Sequence, residues 1–136
     1  MRIALGLKAH SGWAALVVLG TRDGELHVVD RCRLELAEEA DAQWSKQPYR
    51  GAEGLRSDEA RKVVQRGVAT ARRLAVREMR AAVKRAREAK HKIVARGVLV
   101  ADPMPHWSVE EIIAVHFRMH QAEGVLFRDA LSFGNG

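Results

Sequence analysis

A long helical pattern that leads directly into a strand is the feature that most restricts how this chain can fold. The pattern begins at Ser57, which we expect to cap the helix, and continues to about Lys90. At 1.5 Å per residue such a helix is roughly 50 Å long. Residues 92–102 follow it and are rich in β-branched side chains, which predicts a strand. Because the helix carries the chain back across the sheet, this strand should pair in parallel with an earlier one.

Three strands are predicted ahead of the long helix. Residues 2–7 form the first and residues 13–19 the second. The second is apolar on both faces, as is typical of a strand in the middle of a sheet. Asp23 and Gly24 supply the dipeptide that tight hairpins favour. Residues 25–36 should therefore return as a third, antiparallel strand.

Two segments depart from simple periodicity. In the third strand, Asp30 interrupts an apolar face, and we favour a β-bulge there over a carboxylate paired near the sheet. The residues of that face are Leu26, Val28, Cys32, Leu34 and Leu36. Residues 37–56 then form a long connection without periodicity, in which Trp44 and Tyr49 either shape a pocket or hold the connection against the core.

A second helix is predicted after the fourth strand. Ser108 and Glu111 have the spacing of a capping box, which fixes where this helix starts. The helix should run without interruption from residue 109 to at least Glu123. The complete order is β-β-β-α-β-α, which predicts an α/β fold in a single domain spanning residues 1–136.

Composition limits the class of protein and its compartment. Of the 136 residues, 47% are hydrophobic and 29% are charged, which is ordinary for a soluble globular protein. No apolar run approaches the roughly 20 residues of a membrane-spanning helix, so we expect no membrane partner. The single cysteine, Cys32, rules out an internal disulfide and fits a reducing cytoplasm.

The chain is basic, with a formal net charge of +6 and a pI of about 10.1. Lysine and arginine neutralise phosphates and release counterions, so we expect a nucleic acid or another polyanion as partner. An ordinary solvated basic surface is the alternative. Much of the charge follows one side of the long helix, where few acids and no aromatic residues are interleaved. This basic stripe consists of Arg66, Arg73, Arg77, Arg80, Lys84 and Arg87.

The predicted order of elements resembles the core of the ribonuclease H-like superfamily, which includes Holliday-junction resolvases and the actin-like ATPases. The opening LGLKAHSGWAALVV is similar to the resolvase strand-turn-strand, in which Gly-x-Asp leads to Thr-Gly-Trp or a similar sequence. The resemblance implies a metal-binding aspartate after the first strand, but Lys8 occupies that position. The chain also stops before the fifth strand and last helix that are usual in the family. We therefore expect a truncated ribonuclease H-like domain without the usual acidic metal site.

A second resemblance covers most of the chain. It rests on the segments GLKAHSGWAA, QPYRGAEGL and HFRMHQAEGVLFRDAL. These are similar to a group of uncharacterised bacterial proteins, and the similarity implies no established activity. A truncated sheet also leaves an unpaired edge that invites self-association, so we expect a homodimer.

The last helix carries three polar side chains on its apolar side. His116 and His120 lie four residues apart, and Glu123 continues their face. The same face carries Met119 and Phe127, so we expect the three polar groups to project inward. Buried polar groups need bonding partners, so we expect each of these three side chains to have one.

Three accounts of these side chains stay open. The two histidines suit a metal ion, with a third ligand from His10, Asp102 or His106. Alternatively, the carboxyl ends of the strands gather Lys8, His10 and Ser11 into a cleft for an anionic group, where a histidine or glutamate moves a proton. In the third account the side chains bond to each other, to the backbone or to a second copy of the chain.

Three functions follow from these observations. As a binding module, the chain holds a nucleic acid or another acidic partner on the basic stripe. As an enzyme, it is a hydrolase acting on a phosphate-bearing substrate. As a structural protein, it is a homo-oligomer without catalysis, and the sequence identifies no cofactor for any of the three. The candidate catalytic residues are Lys8, His10, His116, His120 and Glu123.

Overall fold

Four strands form one mixed sheet in the computed structural model, which describes residues 1–38, 42–100 and 103–135. The strands are β1 (Arg2–His10), β2 (Trp13–Arg22), β3 (Glu25–Glu35) and β4 (Lys92–Val98). Their order across the sheet is β3-β2-β1-β4, with β2 antiparallel to both of its neighbours and β4 parallel to β1. The predicted α/β class and parallel crossover are confirmed, and the ribonuclease H-like assignment stays a prediction.

Five helices are described, and two of them lie where the sequence predicted an irregular connection. The helices are α1 (Ala42–Lys46), α2 (Pro48–Ala52), α3 (Ser57–Glu88), α4 (Val109–Ile113) and α5 (His116–Asn135). The prediction that Ser57 caps α3 is wrong, because Arg56 is the N-cap residue and no side chain caps that end. The capping box of Ser108 and Glu111 is confirmed, with both of its hydrogen bonds present.

The last helical segment is interrupted, although its sequence predicted one continuous helix. The break falls at Ala114 and Val115, where the amide of Val115 donates to the carbonyl of Ile112 in a tightened last turn of α4. A new helix starts at His116.

The core lies between one face of the sheet, here called the helix face, and helices α3 and α5. Alternate residues of β1 and β2 point into it, whereas the residues between them lie on the opposite, open face. Small side chains on α3 let this helix approach the sheet closely. The core includes Ile3, Leu5, Leu7, Leu16, Ala71, Ala75, Met79, Ala82, Phe127 and Leu131.

A β-bulge lies in β3, as the sequence predicted at Asp30. Val18 pairs with Asp30 but Leu19 pairs with Val28, which leaves Val29 as the extra residue. The bulge shifts the alternation of side chains by one position. The prediction that Leu26 and Val28 face the core with Leu34 is therefore wrong. They lie on the open face, 68% and 57% exposed.

A second bulge lies in β4 and places an arginine beside the helices. Ile3 pairs with Ile93 but Ala4 pairs with Ala95, so Val94 is the extra residue. Beyond the bulge, Arg96 is opposite the buried Leu5 and therefore lies on the helix face of the sheet. Regular alternation from Ile93 would have placed it on the open face.

Among the described residues, no helix combines the length and the apolar character needed to span a membrane. The outer sides of the two edge strands, β3 and β4, have no partner strand within the described ranges. The homodimer and the single-domain organisation stay predictions.

Candidate functional site

His116 and His120 form a pair at the start of α5. Their Nε2 atoms are 3.1 Å apart and the ring planes are close to perpendicular, at 88°. Both side chains are exposed, so the prediction that they project inward is wrong. The buried residues in these first turns are Met119 and Ala122. At about 100° per residue, they lie on a different side of the helix from the two imidazoles.

Glu123 does project inward, as predicted, and is only 2% exposed. No described residue bonds to its Oε2 atom. Burial raises the pKa of this carboxyl to about 7, although the Arg50 guanidinium of α2 acts to lower it. The pKa of the Tyr49 hydroxyl is also raised, first by burial and then by the charge of Glu123. The carboxyl therefore lies buried where α5 meets α2, whereas the imidazoles are exposed to solvent.

Lys8 and His10 lie on the open face of the sheet. The His10 ring stacks on Trp13 with centroids 4.1 Å apart, and the Arg33 guanidinium carbon lies 4.2 Å from the centroid of the Trp13 ring. Helix α5 packs against the other face, so the sheet separates Lys8 and His10 from Glu123. The prediction of one cleft formed by the opening turn and the last helix is therefore wrong.

The metal hypothesis gains no support from the part of the chain that the structure describes. Within it, no group of three or more His, Cys, Asp or Glu side chains is placed to hold a metal ion. Asp102, one of the predicted third ligands, lies outside the described residues. The other two, His10 and His106, are not grouped with the histidine pair of α5.

The basic stripe is exposed along its whole length, but its two halves differ. In the first half, the Arg66 guanidinium lies over the Trp44 ring, and Arg73 Nη2 is 2.6 Å from Glu38 Oε1. Arg77 is 3.4 Å from a carboxylate oxygen of its neighbour Glu78. In the second half, Lys84 Nζ is 4.0 Å from a Glu88 oxygen. Arg80 and Arg87 make no ion pair with a described residue.

The second half of the stripe borders a cavity of about 670 Å³, here called the basic cleft. Three elements form it: the last turns of α3, the end of α5 and strand β4. Five of its side chains are basic and one, Glu88, is acidic, over a floor of aliphatic and aromatic side chains. The basic side chains are Arg80, Lys84, Arg87, Lys90 and Arg96, and the apolar ones are Val76, Met79, Val83 and Phe133.

Lys90 reaches the cleft from a strained position at the end of α3. The His91 amide donates to the Ala86 carbonyl and the Lys90 amide to the Arg87 carbonyl, which is the Schellman pattern of helix termination. This pattern requires a left-handed residue at Lys90, whose φ is +63°. Glycine is the usual residue there, because a Cβ atom in this conformation costs about 1 kcal/mol. A lysine at this position lowers stability but places a charge at the cleft.

The basic surface continues past the cleft and across the edge of the sheet. A neighbouring cavity of about 300 Å³ shares Arg87 and Arg96 with the cleft and adds His91 and Lys92. Arg96 faces this region because of the bulge in β4. The result is an elongated basic surface, longer than a single small anion requires.

Sequence reasoning found only half of this site. It identified Arg80, Lys84 and Arg87 from helical spacing, but it missed three residues of the cleft that lie beyond the last residue of α3. The sequence did contain a signal for Lys90. No glycine follows the long helix, so another residue takes the left-handed position that commonly ends a helix. The missed residues are Lys90, Arg96 and Phe133.

Comparison with known proteins finds no matching family model, no matching curated protein and no matching solved structure.

The strain at Lys90 makes a prediction about stability. Lys90→Gly should raise the free energy of unfolding in urea by about 0.5–1 kcal/mol, because glycine adopts the left-handed conformation without a steric cost. Lys90→Ala is the matched control, since it removes the same charge but keeps the Cβ atom. An alanine variant as stable as the glycine variant would show that charge, and not backbone strain, is responsible.

The buried Glu123 predicts a pH dependence of stability. Its folded pKa of about 7 exceeds its ordinary value of 4.5, so the folded chain holds the proton more tightly. This stability is fully present below about pH 4.5 and is lost as the pH rises through about 7. Glu123→Gln, which stays neutral, should be close to wild type at low pH and about 2–3 kcal/mol more stable above pH 8 in urea denaturation.

Asp129→Asn is the control for this measurement, because Asp129 is an exposed carboxylate on the same helix. It should leave the pH profile nearly unchanged. A Glu123→Gln profile that falls as steeply as wild type between pH 5 and 7 would contradict the assignment.

Proposed function

We propose that this chain is a ribonuclease H-like domain that binds nucleic acid through the basic cleft. The observation that carries the proposal is the convergence of five basic side chains, from α3, its C-terminal turn and β4, on one cleft with one acidic neighbour. Such a concentration of positive charge attracts phosphates and releases their counterions. The net charge of +6 acts in the same direction.

The length of the basic surface favours a polymer over a small anion. Arg80 and Arg87 are seven residues apart, about 10 Å along the helix axis at 1.5 Å per residue. Beyond Arg87 the surface continues through Arg96 to Lys92 at the sheet edge. A row of backbone phosphates suits a surface of this length, because a protein that tracks a strand follows its backbone with a positively charged groove.

The ribonuclease H-like part of the proposal rests on topology. Three antiparallel strands, a helix and a parallel fourth strand beside the first are the arrangement that the resemblance implies. Lys8 stands where the family places its first metal-binding aspartate, so the proposed activity is binding and not metal-dependent cleavage. The hydrolase hypothesis loses its basis, because its candidate residues lie on different faces of the sheet.

Charge reversal in the cleft should abolish most of the binding. Arg80→Glu with Arg87→Glu should weaken affinity for a fluorescein-labelled single-stranded oligonucleotide by at least about 10-fold, measured by fluorescence anisotropy at 50 mM salt. The salt dependence should also become shallower, by about one unit of slope for each phosphate that the variant no longer neutralises. Because neither arginine has an ion-pair partner among the described residues, the change should leave the fold intact.

The matched control is Arg22→Glu with Arg31→Glu. It changes the net charge by the same amount, but on β2 and β3, across the sheet from β4. It should weaken binding by less than about threefold, through long-range electrostatics alone. Equal reductions in affinity for both double variants would contradict a localised site. If polyglutamate displaced the oligonucleotide at equal charge concentration, the cleft would not distinguish phosphates from carboxylates, which would contradict a site specific for nucleic acid.

A further inference from the structure

Phe133 is an exposed aromatic side chain within the basic cleft. Its side chain is 56% exposed, and it lines the cleft together with Arg80, Lys84 and Arg87. The basic stripe itself contains no aromatic residue, so α3 alone offers charge without a surface for stacking. The fold supplies that surface from the end of α5.

A close contact between two helices holds Phe133 at this place. A Cβ atom added to Gly134 would lie 2.7 Å from the carbonyl carbon of Ala75, so the end of α5 touches the backbone of α3. Only a glycine permits this approach. The Arg72 guanidinium carbon lies 5.1 Å from the Phe133 ring centroid, within the range of a cation–π contact. The ring is therefore positioned by its own helix and by α3.

An exposed ring beside several cations suits an unstacked nucleobase attached to a phosphate backbone. Base–aromatic stacking tolerates any sequence, because every base has a π face. In a duplex the base faces are covered by neighbouring pairs, so a ring on a protein surface cannot reach them without unstacking. The combination therefore selects for single strands, whereas charge alone would not.

We propose that Phe133 stacks on a base of a single-stranded nucleic acid whose phosphates contact Arg80, Arg87 and Lys90. This inference rests on the proposed function, and it adds the class of ligand and the residue that recognises it. It also gives a role to the apolar floor of the cleft, which a site for phosphate alone does not need.

Three labelled probes of equal length separate the two proposals: an oligothymidine, an abasic oligonucleotide with the same phosphates, and a duplex. Wild type should bind oligothymidine about 5- to 150-fold more tightly than the abasic strand, which is the range of one stacked base. The duplex should bind no more tightly than the abasic strand when affinities are compared at equal phosphate concentration.

Two variants of Phe133 identify the ring as the cause. Phe133→Leu keeps an apolar side chain but removes the ring, so oligothymidine should fall to the affinity of the abasic strand, with its salt slope unchanged. Phe133→Trp should restore the preference, which also shows that the site remains folded. Thermal unfolding of both variants checks the fold independently.

The outcomes distinguish failure of this inference from failure of the proposed function. Equal affinity of wild type for oligothymidine and the abasic strand would overturn stacking, while leaving nucleic-acid binding through phosphates in place. A leucine variant that keeps the full preference for oligothymidine would also overturn it. If none of the three probes binds in a salt-dependent way, the proposed function fails and this inference fails with it.

Discussion

The cost of burying charged side chains determines how α3 lies on the sheet. An arginine removed from water without a partner costs several kcal/mol, so the arginine-rich side of α3 has no stable position except solvent. The alanine-rich side, which includes Ala71, Ala75 and Ala82, then packs on the helix face of the sheet. Once that orientation is set, the second half of the stripe lies beside the end of α5 and the edge strand β4. The basic cleft therefore results from the same arrangement that builds the core, with arginines on one side of α3 and alanines on the other.

Features with local causes could be predicted from the sequence. The hairpin at Asp23 and Gly24 has both residues at positive φ, as its dipeptide requires, and the capping box at Ser108 forms both of its bonds. The parallel crossover follows from chain order alone. These predictions succeeded because each depends on a few neighbouring residues or on the limited ways in which a helix can connect two strands.

The rest of the site depends on shifts of one residue that periodicity does not reveal. The bulge in β4 moves Arg96 to the helix face, and the bulge in β3 moves Val28 to the open face. In α5, the prediction treated His116 and Glu123 as equivalent because seven residues nearly complete two turns. His116 is exposed at the first residue of α5, whereas Glu123 is buried two turns later, where α5 meets α2. Tertiary contacts make that choice, and a single sequence contains no direct record of them.

We propose that nucleic acid lies along the second half of α3 and not at the turn where the sequence resembles an active site. An NMR titration of isotope-labelled protein with a short single-stranded oligonucleotide at low salt tests this directly, because backbone amides report the position of the ligand. The largest shift changes are expected from Arg80 to Lys90, at Arg96 and at Phe133. Changes concentrated at Lys8, His10 and their neighbours on the open face would contradict it.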